Sequence, residues 1–136
     1  MSKYKNEFMR CMDQKGIKYR ELDDRKVSIR YSGDNLKTIA IIVAFDKNDS
    51  NTVQIYSFEI ASFKEDKFAA GLLACNALNA RFRWVKFYID SDRDVIAEMD
   101  AVVDYSTVGE ECIELVRRMV GIIDEAYPEF MKAMWQ

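Results

Sequence analysis

Residues 78–103, LNARFRWVKFYIDSDRDVIAEMDAVV, run from the end of a helix into a strand, through an acidic turn and into a second strand. In WVKFYI, 84–89, Val85, Phe87 and Ile89 fall on one face; in VIAEMDAVV, 95–103, Val95, Ala97, Met99, Ala101 and Val103 do. That period of two is the mark of half-buried strands. The DSDRD link between them is rich in Asp, whose carboxylate bonds readily to nearby backbone N–H groups in turns. The pair reads as an antiparallel hairpin.

Upstream, Ser62 and Glu65 have the S-x-x-E spacing of a capping box, which predicts a helix from Phe63 to Arg81. Its apolar stripe is Phe68, Leu72, Cys75 and Leu78 or Asn79, while Ala69, Ala70, Gly71, Ala74 and Ala77 keep the helix slim. Gly71 costs about 1 kcal/mol of helix propensity, so a close packing neighbour is expected there. Before it come KVSIRY, with Val27, Ile29 and Tyr31 on one face, then the apolar run TIAIIVAF at 38–45, then VQIYSFEI at 53–60. The middle run reads as a strand covered on both faces. Tyr4, Phe8, Cys11 and Met12 have helical spacing and Gly16 is placed to end that helix, giving a first helix over Lys3 to Lys15. At the other end, Thr107 and Glu110 suggest a second capping box. It opens a helix striped by Val108, Cys112, Leu115, Val116, Met119, Val120, Ile123, Ala126 and Tyr127, with Glu114 and Arg118 paired on its wet side. Pro128 is expected to end or kink it, leaving a short final turn. The order is α-β-β-β-α-β-β-α. Strands grouped between helices predict an α+β fold with an antiparallel sheet of about five strands in a single domain over residues 1–136.

The chain has 136 residues, one Pro and five Gly, enough for one core and little for linkers. Its net charge is −3, with 20 Lys and Arg scattered among 23 Asp and Glu, which argues against a nucleic-acid partner. No run approaches the roughly 18 apolar residues of a membrane span, and the N-terminus lacks the apolar centre of a signal peptide, so a cytoplasmic protein without a membrane partner is expected. Cys11, Cys75 and Cys112 are widely spaced and lie on or beside apolar stripes, where thiols pack as small hydrophobes.

There is no His, which removes the Ser-His-Asp and Cys-His nucleophilic sites and the imidazole metal ligands. Phosphate-binding and dinucleotide-binding glycine motifs are absent as well. These omissions predict no catalytic residues, no cofactor and a non-enzymatic role. Asp90, Asp92 and Asp94 fit the first, third and fifth positions of a calcium loop, but Val95 stands where Gly must turn the chain and Ala101 where a bidentate Glu is needed. DKNDSN, 46–51, fails in the same way at Asn51 and Ser57. The acidic cluster therefore reads as a turn, and Glu98 with Asp100 as a solvated strand face. Trp84, Lys86 and Tyr88 alternate on the outer side of their strand, and Gln54, Tyr56 and Phe58 fall on a comparable side of theirs. Either that side is an exposed protein contact or a helix covers it.

The Asn pair Asn76 and Asn79, the K-x-Y-x-D strand of Lys86, Tyr88 and Asp90, the acidic hairpin leading to Glu98 and the helix opening TVGEECIELV resemble the YbjN-like family of bacterial sensory transduction regulators, most strongly over residues 60–127. The resemblance implies a fold similar to the chaperones of type III secretion, commonly dimeric, with no catalytic residues to carry over. The two Asn are read as groups bonding the helix-to-strand corner. Together with the slim helix, the resemblance implies a chaperone-like or regulatory interaction module, a homodimer holding a protein or peptide client. The candidate contact residues are Ala70, Gly71, Ala74, Ala77, Trp84, Lys86 and Tyr88. The alternative is a small-molecule-binding sensory regulator.

Overall fold

The first helix, α1 (Lys3–Lys15), is capped at both ends by the residues its sequence offers. The Ser2 side chain accepts the Lys5 N–H at 3.2 Å, and Gly16 takes the left-handed conformation, φ 67°, that lets the chain turn away. This computed structural model describes residues 2–48 and 50–136; Met1, part of the N-terminal segment read above, and Asp49, in the turn expected over 46–51, lie outside the described residues.

Six antiparallel strands form one sheet: β1 (Arg20–Glu21), β2 (Lys26–Tyr31), β3 (Ile39–Phe45), β4 (Thr52–Ser57), β5 (Lys86–Ile89) and β6 (Val95–Val102), in the spatial order β1-β2-β3-β4-β6-β5. The α+β class and the element order agree with the sequence reading, with one strand more than the five expected. The addition is β1, two residues long and too short to show a period. It pairs Arg20 with Ser28 and Glu21 with Val27, and the Glu21 carboxylate accepts from the Lys5 ammonium, which is only 1% exposed. A buried ammonium needs such a partner, and so α1 is tied to the sheet edge.

Beyond β4, a 3₁₀ turn (Glu65–Lys67) leads into α2 (Phe68–Arg81). The expected start at Phe63 is corrected: Ser62 forms a bridge with Asp94, and its hydroxyl donates to the Asp94 carboxylate, so it caps nothing. The last helix, α3 (Val108–Trp135), also differs from its expected opening. The Thr107 hydroxyl donates to Glu111 at 2.6 Å, and the same Glu111 oxygen accepts the Asp104 N–H, so Glu111, and not Glu110, ties down the helix start.

Pro128 does not end α3, which continues to Trp135. A proline inside a helix leaves the carbonyl four residues earlier without its N–H. That residue is Asp124, and the Asn35 side chain donates to the Asp124 carbonyl at 3.1 Å. The Asp124 carboxylate in turn accepts the N–H groups of Asp34, Asn35 and Leu36 at 3.1, 2.8 and 2.9 Å. One residue of α3 thus holds the whole β2–β3 turn, and these backbone bonds keep its carboxyl below the usual carboxylate range.

Helices pack on one face of the sheet only. Along β3, Ile39, Ile41, Val43 and Phe45 are buried while Ala40, Ile42 and Ala44 are half-buried, which corrects the expectation of a strand covered on both faces. The core gathers Phe8, Met12, Ile41, Ile55, Met119 and Phe130, with the Phe130 ring edge-on to Phe87 at 5.3 Å between centroids. The three cysteines are free and buried.

Candidate interaction surface

The helix α2 has no charged residue from Phe68 to Ala80, so it has no wet face of its own. Gly71, Cys75 and Leu78 are the buried positions; Phe68 and Leu72, expected in the buried stripe, are exposed. The stripe is rotated because Gly71 is where the helix touches the rest of the molecule. A β-carbon there would lie 2.8 Å from Ile89 Cδ1 and 2.9 Å from the Phe63 ring, closer than carbon atoms pack. The small residue allows the helix to sit down on β5, and Gly71 is therefore an internal contact.

On the opposite side Ala69, Leu72, Leu73, Asn76, Ala77 and Ala80 are exposed. They recur at i, i+3, i+4, i+7, i+8 and i+11, one continuous stripe of a helix surface. Leu73 is 72% exposed. Of the residues singled out from sequence, Ala77 lies in this stripe and Ala70 and Ala74 at its half-buried flank. Leu72 and Leu73, its largest members, were missed as surface residues. The signal for them was the missing polar face, since a helix apolar all round is covered on every side when its partners are present.

The corner after α2 is built by Asn79. β5 is an edge strand, and the N–H and C=O of Phe87 face outward from it. Asn79 Oδ1 accepts the Phe87 N–H at 2.7 Å and its Nδ2 donates to the Phe87 carbonyl at 3.0 Å, so one amide side chain stands in for a further strand. Asn76 is exposed instead of joining the corner.

Of Trp84, Lys86 and Tyr88, the last two share a sheet face and Trp84 leaves it. Trp84 precedes β5 and adopts φ 73°, which swings its ring toward α3, where the Arg118 guanidinium lies 5.3 Å from its centroid. Lys86 donates to the carbonyls of Asn79 at 2.7 Å and Phe82 at 2.9 Å, a cation on the carboxyl end of α2. Beside Lys86, on the same open face of the sheet, lies Tyr88. Its hydroxyl is held above the usual phenol range, mainly by desolvation and further by the charge and hydrogen bond of Glu98.

That open face carries a cross-strand row of Arg20, Ser28, Ile42, Tyr56, Glu98 and Lys86. Beside it, Tyr88 stands opposite Ile96, and Phe58 packs on Tyr56 with ring centroids 4.9 Å apart. Glu98 is half-buried and bonded to Gln54, so it is part of the sheet's own network, whereas Asp100 is exposed.

The acidic turn is a structural junction. Asp90 Oδ1 accepts the N–H groups of Asp92 at 2.9 Å and Asp94 at 3.0 Å; Arg93, at φ 65°, donates from its guanidinium to the Phe63 carbonyl at 3.0 Å. The carboxylate oxygens of Asp90, Asp92 and Asp94 come within 4.8 Å of one another, but Asp90 and Asp94 are spent on the turn and on Ser62. Two of the three thiols are passive: burial pushes the Cys75 thiol up to about 11 and that of Cys112 to about 12. Among the described residues no helix is long and apolar enough to cross a membrane.

Two solved structures share this fold. The crystal structure of YbjN from E. coli is 15% identical, with a TM-score of 0.62 over 89% of each chain. A chain of the heterodimeric ExoU–SpcU complex from the type III secretion system of Pseudomonas aeruginosa is 11% identical, with a TM-score of 0.56 over 93% of this chain and 96% of that one. No curated protein matches the sequence. Residues 6–132 match the family described as "YbjN: Putative bacterial sensory transduction regulator". With that match spanning nearly its whole length, the chain belongs to the YbjN family.

Proposed function

We propose that the chain is a single-domain, non-enzymatic interaction module that pairs with a second copy of itself through α2 and, as a chaperone-like or regulatory protein, holds a segment of a partner polypeptide. The observation that carries this reading is the exposed stripe of Ala69, Leu72, Leu73, Ala77 and Ala80 on a helix with no charge from Phe68 to Ala80. Two such stripes can meet about a two-fold axis without opposing like charges, and the alanines let the helices approach closely. Trp84 and Tyr88 offer exposed aromatic surface beyond it, at 53% and 45%. Support for a protein partner comes from the similar chain that lies in a heterodimeric complex.

Native mass spectrometry of the protein at micromolar concentration tests the pairing. A dimer is expected for the native sequence and a monomer for Leu73→Arg, whose far-UV circular dichroism should not change because Leu73, 72% exposed, makes little contact within the protomer. A monomeric native protein, or an undisturbed dimer in the variant, would sink the reading. A discrete small-molecule mass on the native protein would favour the ligand-sensing alternative.

A further inference from the structure

We propose that the open face of the sheet takes an extended, acidic-then-apolar segment of a partner polypeptide, with its carboxylates on a cationic cleft at the β1 edge. The proposal rests on the reading of the chain as a protein-binding module and adds the chemistry of the partner. The cleft, of about 480 Å³, is lined by Lys18, Tyr19, Arg20, Ser28 and Arg30. Arg20 stands opposite Ser28 in the ladder, Arg30 lies two residues along β2 on the same face and Lys18 just before β1, so three cations and a hydroxyl line one cleft. Like charges gathered in one cleft repel one another. None of the three has an ion-pair partner among the described residues. Of the carboxylates near in sequence, Glu21 is engaged with Lys5, Asp13 with the Tyr19 hydroxyl at 2.9 Å, and Asp23 with the N–H groups of Arg25 and Lys26 at 2.8 and 2.9 Å. A chain of net charge −3 thus keeps an uncompensated positive site at one edge.

The other end of the same face defines what can occupy it. From Arg20 and Ser28 the row passes to half-buried Ile42 and buried Tyr56, on which the exposed Phe58 ring packs as the accessible apolar group, and then reaches Glu98, with Asp100 two residues further along β6. A long polyanion such as a nucleic acid would run from the cations into those carboxylates. A short acidic run that turns apolar fits both parts. Strands lie about 4.8 Å apart, so the path from β2 to β4 is roughly 10 Å, about three residues of an extended chain at about 3.3 Å each. The guanidiniums of Arg20 and Arg30 suit carboxylates because their planar forks bond them in pairs.

The test is fluorescence anisotropy with a labelled peptide in which a run of Glu is followed three residues later by Leu and Phe. A peptide with Lys in place of Glu and sodium phosphate at matched ionic strength serve as the other two probes. Binding of the Glu peptide alone is expected, weakened about tenfold by Arg20→Glu with Arg30→Glu, as two exposed ion pairs lost would give. The more conservative Arg20→Gln with Arg30→Gln should weaken it less, and neither double variant should lower the melting temperature or change the mass of the assembly. Equal binding of both peptides, displacement of the Glu peptide by millimolar phosphate, or indifference to charge reversal would overturn the proposal. The α2 pairing is read by mass and would survive that failure, so the two readings fail separately.

Discussion

Substituting Gly109 by alanine should destabilise the protein, although alanine is the better helix former. Gly109 lies in the first turn of α3 and is buried where that helix crosses α1. A β-carbon added there would lie 2.8 Å from Cys11 Sγ and nearer still to Cys11 Cβ. Nonbonded carbons rest about 3.5 to 4.0 Å apart, so the shortfall is about 1 Å or more. Cys11 Cβ is fixed to the backbone of α1 and cannot swing aside, which means the helices themselves must part. Overpacking of this kind costs about 1 to 3 kcal/mol, against a propensity gain below about 1 kcal/mol in a first turn.

The net loss should be about 1 to 2 kcal/mol, or a fall in Tm of roughly 3 to 10 °C for a chain of this size. Gly121, on the same helix, is exposed and has nothing within 4 Å of an added β-carbon. There the same substitution should raise stability by up to about 1 kcal/mol. Urea and thermal unfolding followed by circular dichroism would read both. Adding Cys11→Ala to Gly109→Ala should rescue only in part, because the sulfur leaves but the β-carbon stays. If Gly109→Ala proved as stable as the native chain, the close crossing of α1 and α3 would be refuted.

Two further outcomes are expected. Asp124→Asn should lower the urea midpoint at neutral pH, because the carboxylate accepts three N–H groups at 2.8 to 3.1 Å. Those bonds hold the folded pKa of Asp124 below its unfolded value, so the stability they add is present above about pH 4 and lost as pH falls through the lower folded value. The gap between variant and native protein should therefore close in acid, and a gap unchanged at low pH would contradict the assignment. Cys75 and Cys112, pushed up by burial to about 11 and about 12, remain thiols at pH 8 and should resist iodoacetamide until urea is added; mass spectrometry showing rapid alkylation of either in the folded protein would disprove their burial.

Local pattern carried the reading of the chain where the determining contacts are local. The capped helix α1, the alternation of Val95, Ala97 and Met99, and the long stripe of α3 are set by neighbours three or four residues away, or by one buried face. The misreadings fall where a distant residue intervenes. Ser62 has the spacing of a cap, but Asp94 takes its hydroxyl from 32 positions away. Pro128 has the local chemistry of a stop, but Asn35 supplies the missing donor across the fold. No window of sequence contains both members of such a pair. The candidate surface divided in the same manner: Gly71 has an exposed-looking context in sequence, while its neighbour, the Phe63 ring, comes beside it only after folding, and Lys86 is exposed yet spends its ammonium on the α2 carbonyls.

The same distinction separates residues that the protomer explains from those it does not. Leu78 and Leu73 are chemically identical and five positions apart on one helix; the first is 2% exposed and the second 72%. Burying a leucine is worth about 1.5 to 3 kcal/mol, so Leu78 has its reason inside the fold. Leu73 returns almost none of that, and a lone exposed leucine would need no explanation. It is not alone. Leu72, Ala69, Ala77 and Ala80 continue the stripe without a single charge to keep it wet, on a chain where 32% of residues are charged. The reverse holds at the β1 edge, where Lys18, Arg20 and Arg30 endure one another's charge with no carboxylate between them. Neither arrangement lowers the free energy of the isolated protomer, and each would lower it against a surface of matching character: an apolar helix in one case, an acidic strand in the other.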